Sequence, residues 1–139
     1  MIQFEKLVQL REFELDERRR GSGTILSEIN SLQDEINRLH VELKSEQKIA
    51  GESLEARFLY NEFASSVIRK REWLTAAIKL KEEEYERARE KVAEAYREMR
   101  KAEIIRDEMI EKNKKHEQAL EQVELDDSAQ NIHRRRIKS

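Results

Sequence analysis

The sequence predicts an all-α fold: a long two-helix antiparallel coiled-coil hairpin whose second helix is longer and overhangs the first. Three observations lead there. Charged residues make up 42% of the 139 residues and hydrophobic ones only 37%, too little apolar surface to fill a compact core. Proline is absent and glycine occurs three times, so the corners of a β-rich fold lack the residues they need. Apolar residues recur every 3.5 positions over many heptads, which is the coiled-coil period. One coiled-coil domain over residues 1–139 is expected.

Helix 1 is expected over about 2–49. Ile25, Ile29, Leu32, Ile36, Leu39 and Leu43 are spaced alternately four and three, and Leu15, Val8 and Phe4 keep that phase. The pattern is soft at Gly21-Ser22-Gly23, where each helical glycine costs up to about 1 kcal/mol relative to alanine. A bend or local fraying is expected there, read either as a tolerated irregularity or as a hinge. The turn falls at about 50–53. Gly51 can end helix 1 in the left-handed conformation, and the Ser53 hydroxyl can cap helix 2.

Helix 2 is expected over about 54–128. Its seam runs through Tyr60, Ala64, Val67, Leu74, Ile78, Tyr85, Ala88, Val92, Ala95, Met99 and Ala102. The alanines at 88, 95 and 102 let Leu15, Val8 and Phe4 approach closely. The tail at 129–139, with His133-Arg134-Arg135-Arg136-Ile137-Lys138, is basic and expected to fray.

A fold-back at Gly51 makes facing residue numbers total about 103 for antiparallel helices of equal rise. Leu43 then faces Tyr60, Ile36 faces Val67, Ile29 faces Leu74, Ser22 faces Lys81, and Glu46 faces Arg57. A register shifted by one heptad fits the layers equally well, and the position of Gly51 selects between them. Met1 pairs near Ala102. That leaves an overhang of roughly 25 residues, about 37 Å, whose seam turns polar at Arg106, Asn113 and His116.

Composition excludes several functions. The net charge of −2 argues against a general nucleic-acid binder. No apolar run approaches the ~20 residues of a membrane span, so direct membrane insertion is not expected. An amphipathic pattern follows Met1 directly, which argues against a signal peptide. Cysteine is absent, which fits a reducing compartment. There is no phosphate-cradling glycine loop, and His40, His116 and His133 have no metal-ligand spacing. The acids at Glu82-Glu83-Glu84 lie on a solvated face, and a two-helix rod offers no pocket to split two pKa values. No enzyme activity, cofactor or metal is expected. Arg18-Arg19-Arg20 and Arg134-Arg135-Arg136 read as solvated charge.

One feature exceeds what a coiled coil requires. Leu59, Phe63, Trp73, Ala77 and Leu80 form a second stripe on helix 2 near the turn, flanked by Phe58 and Ile68. Such a strip is a docking surface for a partner, a homodimer contact, or a face that helix 1 curls around to cover.

The whole chain resembles the FliJ family, the flagellar type III export stalk proteins, and their injectisome counterparts. Phe4-x-x-Leu7-x-x-Leu10-Arg11-x-x-Glu14 is similar to the family's start. Gly51 followed by Tyr60-x-x-Phe63-x-x-x-Val67 resembles its turn and its Tyr-x-x-Phe-x-x-x-Leu run, with valine here in place of leucine. Leu125-Asp126-Asp127-x-Ala129 resembles its Leu/Met-Asp-Glu-x-Ala ending. The resemblance implies a non-enzymatic hairpin like the central stalk of rotary ATPases. Such a protein sits in the pore of a hexameric export ATPase, promotes its ring and activity, and links it to the cytoplasmic domain of the export-gate membrane protein. Some members also hold export chaperones. The resemblance places the protein in the cytoplasm, peripheral at the inner face of the cell membrane, in flagellum biogenesis or an injectisome.

Carried over residue by residue, Phe63 and Val67 match the gate-contacting positions, with Tyr60 close by. The seam phase buries Tyr60 and Val67, which leaves Phe63 and Trp73 as the exposed contacts. Arg97, Arg100, Lys101 and Arg106, near the base of the overhang, could meet acidic pore loops of the ATPase. The paired part would span roughly 75 Å, from about 50 residues at 1.5 Å each, enough to cross a ring. The monomer is the expected state. The competing readings are a homodimeric coiled-coil scaffold and a hairpin that holds clients along its apolar stripe.

Overall fold

The computed structural model describes residues 2–51 and 53–138. The chain forms two helices, α1 (Ile2–Ile49) and α2 (Leu54–Lys138), and no strand among the described residues. Both helices begin where the sequence reading put them. The end of α2 differs: it runs on to Lys138, where an end near 128 and a frayed tail were expected. No proline or glycine interrupts residues 129–138, and the arginines there lie at the helix end whose exposed carbonyls favour cations. Ser139 lies outside the described residues. Along both helices, acids and bases three apart pair on the surface. Examples are Arg11–Glu14 at 2.9 Å, Arg20–Glu17 at 2.8 Å and Arg100–Glu103 at 3.1 Å. Each such exposed pair adds a few tenths of a kcal/mol, about 0.3–0.5, to helix stability.

Helix α1 passes unbroken through Gly21-Ser22-Gly23, so the expected fraying is not seen. The Ser22 and Thr24 hydroxyls fold back and donate to the carbonyls of Arg19 and Arg20, both at 3.0 Å. Neither glycine has a positive φ, and a Cβ on either would meet nothing within 4 Å. The glycines are therefore a removable entropic cost. Gly21→Ala and Gly23→Ala should each raise unfolding stability, by up to about 1 kcal/mol, as measured by urea denaturation.

At the turn, Ser53 caps α2 as expected. The Ala56 N–H donates to Ser53 Oγ at 3.0 Å and the Arg57 N–H to its carbonyl at 3.1 Å. Ser53→Ala should cost about 1 kcal/mol in the same denaturation assay. The Ala50 N–H donates to the Glu46 carbonyl at 3.0 Å and completes the last turn of α1. Gly51 corrects the sequence reading. It lies at the turn and is exposed, but its φ is not positive, so α1 ends without a left-handed residue there. Glu52, within the expected turn, lies outside the described residues.

The chain divides into two compact units. The first, Leu15–Ala95, contains the turn and is an antiparallel hairpin. Leu39, Val67 and Leu74 form its core cluster, with Leu32, Ile36, Leu43 and Phe63 packed against it. Leu15, Ala50 and Ile78 are also buried. Ile25, Ile29, Ala64, Ala88, Val92 and Ala95 are half-buried along the same seam. The second unit joins Met1–Glu14 with Tyr96–Ser139. Val8 and Ala102 are buried in it, and Phe4, Met99, Met109 and Asn113 are half-buried. The apolar seam side chains expected from Phe4 to Leu43 and from Tyr60 to Met109 are buried or half-buried, so the heptad phase there is that read from the sequence, while His116, expected on the seam further along, is exposed. In each unit, burying this single stripe is what removes apolar area from water.

The register is different. Within the hairpin unit, Glu28 pairs with Lys81 at 2.6 Å and Glu35 with Lys70 at 3.6 Å. In the expected register those acids would face Thr75 and Ile68. In the terminal unit, Glu5 pairs with Arg106 at 3.4 Å, where Glu98 was expected opposite. One helical turn of side-chain reach absorbs a displacement of two residues but not of six or eight. The pairing has slid toward the heptad-shifted alternative, and Glu46 and Arg57 form no ion pair among the described residues. Layers that repeat every seven residues fit either register. With no left-handed Gly51 to fix the reversal, the interhelical ion pairs mark the choice. Cover by α1 consequently extends beyond Ala102. From Lys114 to Ile137 every side chain is exposed. The pairing expected of Met1 lies outside the described residues.

Candidate docking face

The second stripe on α2 arises because apolar residues recur off the seam phase. Leu59 is 63% exposed, Trp73 68% and Leu80 67%, and Phe58 and Ile68 are exposed beside them. Helix α1 leaves these residues open, while Phe63 and Ala77 of the same stripe are half-buried. Leu54, 84% exposed, extends it to the first residue of α2. At 100° per residue, Leu54, Phe58, Leu59, Trp73 and Leu80 fall within an arc of about 140°. Leu54 was missed in the sequence because it stands alone at the helix start. Its mismatch with the seam phase was the available signal.

Of the residues matched to the gate-contacting positions, Val67 is buried and Tyr60 half-buried, as the seam phase required. Phe63 departs from expectation. It is half-buried and packs against the Leu39–Val67–Leu74 cluster, so it is not a freely exposed contact. Trp73 alone among the four offers a mostly open ring. A large apolar ring held on a rigid helix is the kind of anchor that dominates protein interfaces.

The basic residues expected at the base of the overhang separate into two kinds. Arg106 lies on the seam with its side chain 23% exposed, and it pairs with Asp107 at 3.2 Å and Glu5 at 3.4 Å. The hydrogen bond to Asp107 is the largest influence holding its guanidinium above the usual arginine range, and Glu5 adds to it. Arg106 thus ties α2 to the first turns of α1. Arg100 and Lys101 pair with Glu103 and Glu98 on their own helix face, at 3.1 and 3.2 Å. Arg97 is exposed and has no ion pair among the described residues.

Nothing else in the chain assembles a reactive centre among the described residues. There is no buried polar or charged side chain, and no group of three or more His, Cys, Asp or Glu that could hold a metal ion. Lys81 is held above the ordinary lysine range, by its hydrogen bond to Glu28 first and to Glu84 second, in an interhelical ion pair. No described helix is long and apolar enough to cross a membrane.

The described residues thus form a coiled-coil helix pair that leaves an apolar, aromatic strip exposed on α2. The family model described as "Flagellar FliJ protein" matches residues 1–138. The chain belongs to the FliJ family, whose members are non-enzymatic components of the flagellar export apparatus. No curated protein and no solved structure matches it.

Proposed function

We propose that this protein is the central stalk of the flagellar export ATPase and links that ATPase to the export gate. The family match over essentially the whole chain carries this reading. The helix pair supports it physically. A single asymmetric hairpin in a sixfold pore touches only some subunits at a time, and so favours one nucleotide state in those subunits by differential binding. The aromatic strip at Trp73, Phe58 and Leu59 takes the cytoplasmic domain of the gate protein. Tyr60, Phe63 and Val67 shape the helix that presents it. Arg97, Arg100 and Lys101 face the ATPase ring, and Arg106 holds the two helices together beneath them. Export chaperones are further partners, and the protein works in the cytoplasm at the inner face of the cell membrane.

The test is binding of the purified full-length chain to each purified partner. The expected result is capture of both the ATPase and the gate domain, with Trp73→Ala weakening the gate alone. Capture of neither, with both partners shown to be folded, would leave the scaffold and client-holding readings.

A further inference from the structure

The end of α2 carries charge in two blocks. Residues 121–127 hold Glu121, Glu124, Asp126 and Asp127 and no base. Residues 133–138 hold His133, Arg134, Arg135, Arg136 and Lys138 and no acid. All the described side chains of the segment are exposed, among them Leu120, Val123, Leu125, Ile132 and Ile137. This stretch continues the α2 seam past the last residue that α1 covers. Met109 and Asn113 are half-buried, and beyond them nothing in the chain lies over it.

We propose that the segment 121–138 pairs antiparallel with the same segment of a second copy of this chain, centred on Gln130. The register centred on Gln130 sets acids against bases and an apolar pair at each end, with Leu125 then facing Arg135 and Ile132 facing Ser128. With Gln130 opposite its own copy, Asp126 faces Arg134, Asp127 faces His133 and Val123 faces Ile137, each twice by the twofold symmetry. Val123 and Ile137 are seam-phase residues, so the seam that α1 leaves open closes on apolar side chains at both ends and on the Asp126–Arg134 ion pairs between them. A parallel pairing sets acid against acid and base against base, which the charges forbid. Asp126 already accepts a hydrogen bond from Gln122 at 3.2 Å, which holds its carboxylate on the exposed surface. The overlap is short, about 27 Å of helix, so the dimer is weak and concentration-dependent. Its ion pairs are exposed, so salt weakens it. This pairing does not depend on the stalk role.

Sedimentation of the full chain tests it, over protein concentrations of about 10–500 µM and at about 50 and 500 mM salt. The expected result is self-association at low salt that weakens about tenfold at high salt. Asp126→Lys/Asp127→Lys and Arg134→Glu/Arg135→Glu should each abolish it, since like charges then face each other between positions 126 and 134. An equimolar mixture of the two variants should associate again as a heterodimer, because the reversed charges are complementary in this register. Circular dichroism of each variant separates loss of pairing from loss of helix. A chain that stays monomeric across the range overturns the proposal. So does association that both charge variants retain, or a mixture that fails to associate while both variants remain helical.

Discussion

Leu74→Ala is expected to cost about 2–5 kcal/mol of unfolding free energy, the largest single effect on stability in the chain. Leu74 is wholly buried and sits in the core cluster with Leu39 and Val67. In a two-helix seam the layers above and below can close only partly over a lost isobutyl group, so a cavity term adds to the lost transfer energy. Leu80→Ala on the same helix is the control. Its side chain is 67% exposed, and its removal should change stability by no more than about 0.5 kcal/mol. Urea unfolding followed by circular dichroism measures both. A similar small cost for the two would mean that the seam does not hold the helices together.

Trp73→Ala should separate binding from stability. The ring is 68% exposed, so its loss should leave the unfolding midpoint nearly unchanged. If it anchors the gate contact, its removal should weaken gate binding by at least about 30-fold, the effect of a hot spot near 2 kcal/mol. Phe63→Ala should behave differently. Its ring packs against the core cluster, so the substitution should lower stability as well as binding. Calorimetric titration of each variant against the gate domain, beside its unfolding curve, distinguishes the two residues. Loss of stability in Trp73→Ala, or full binding by it, would remove the strip from the gate contact.

These two residues show how far the sequence could be read. The helices, the turn and the buried stripe were legible because a 3.5-residue period and a serine cap are local signals. Leu74 and Val67 follow from that period alone. So does the half-burial of Tyr60, against the resemblance that marked it as close to the gate contact. Trp73 and Leu80 were legible because they lie off the seam phase. The register was not legible, since Leu, Ile and Ala layers repeat and one heptad looks like the next. It took the Glu28–Lys81 and Glu5–Arg106 pairs to fix it. Phe63 was misplaced for a related reason. Its position beside the seam is ambiguous until the partner layers are known, and in the observed pairing it lies against the Leu39 cluster. Arg106 was legible as a seam residue, because it keeps the spacing of Met99 and Ala102, but its pairing with Glu5 was not, because that depends on the register.

Titrating the purified export ATPase with this protein while following its hydrolysis rate tests the stalk role most directly. The account predicts stimulation, which should saturate well below one copy per ATPase subunit if one hairpin serves a whole ring. No stimulation of an ATPase shown competent to assemble, or saturation at one copy per subunit, would contradict it.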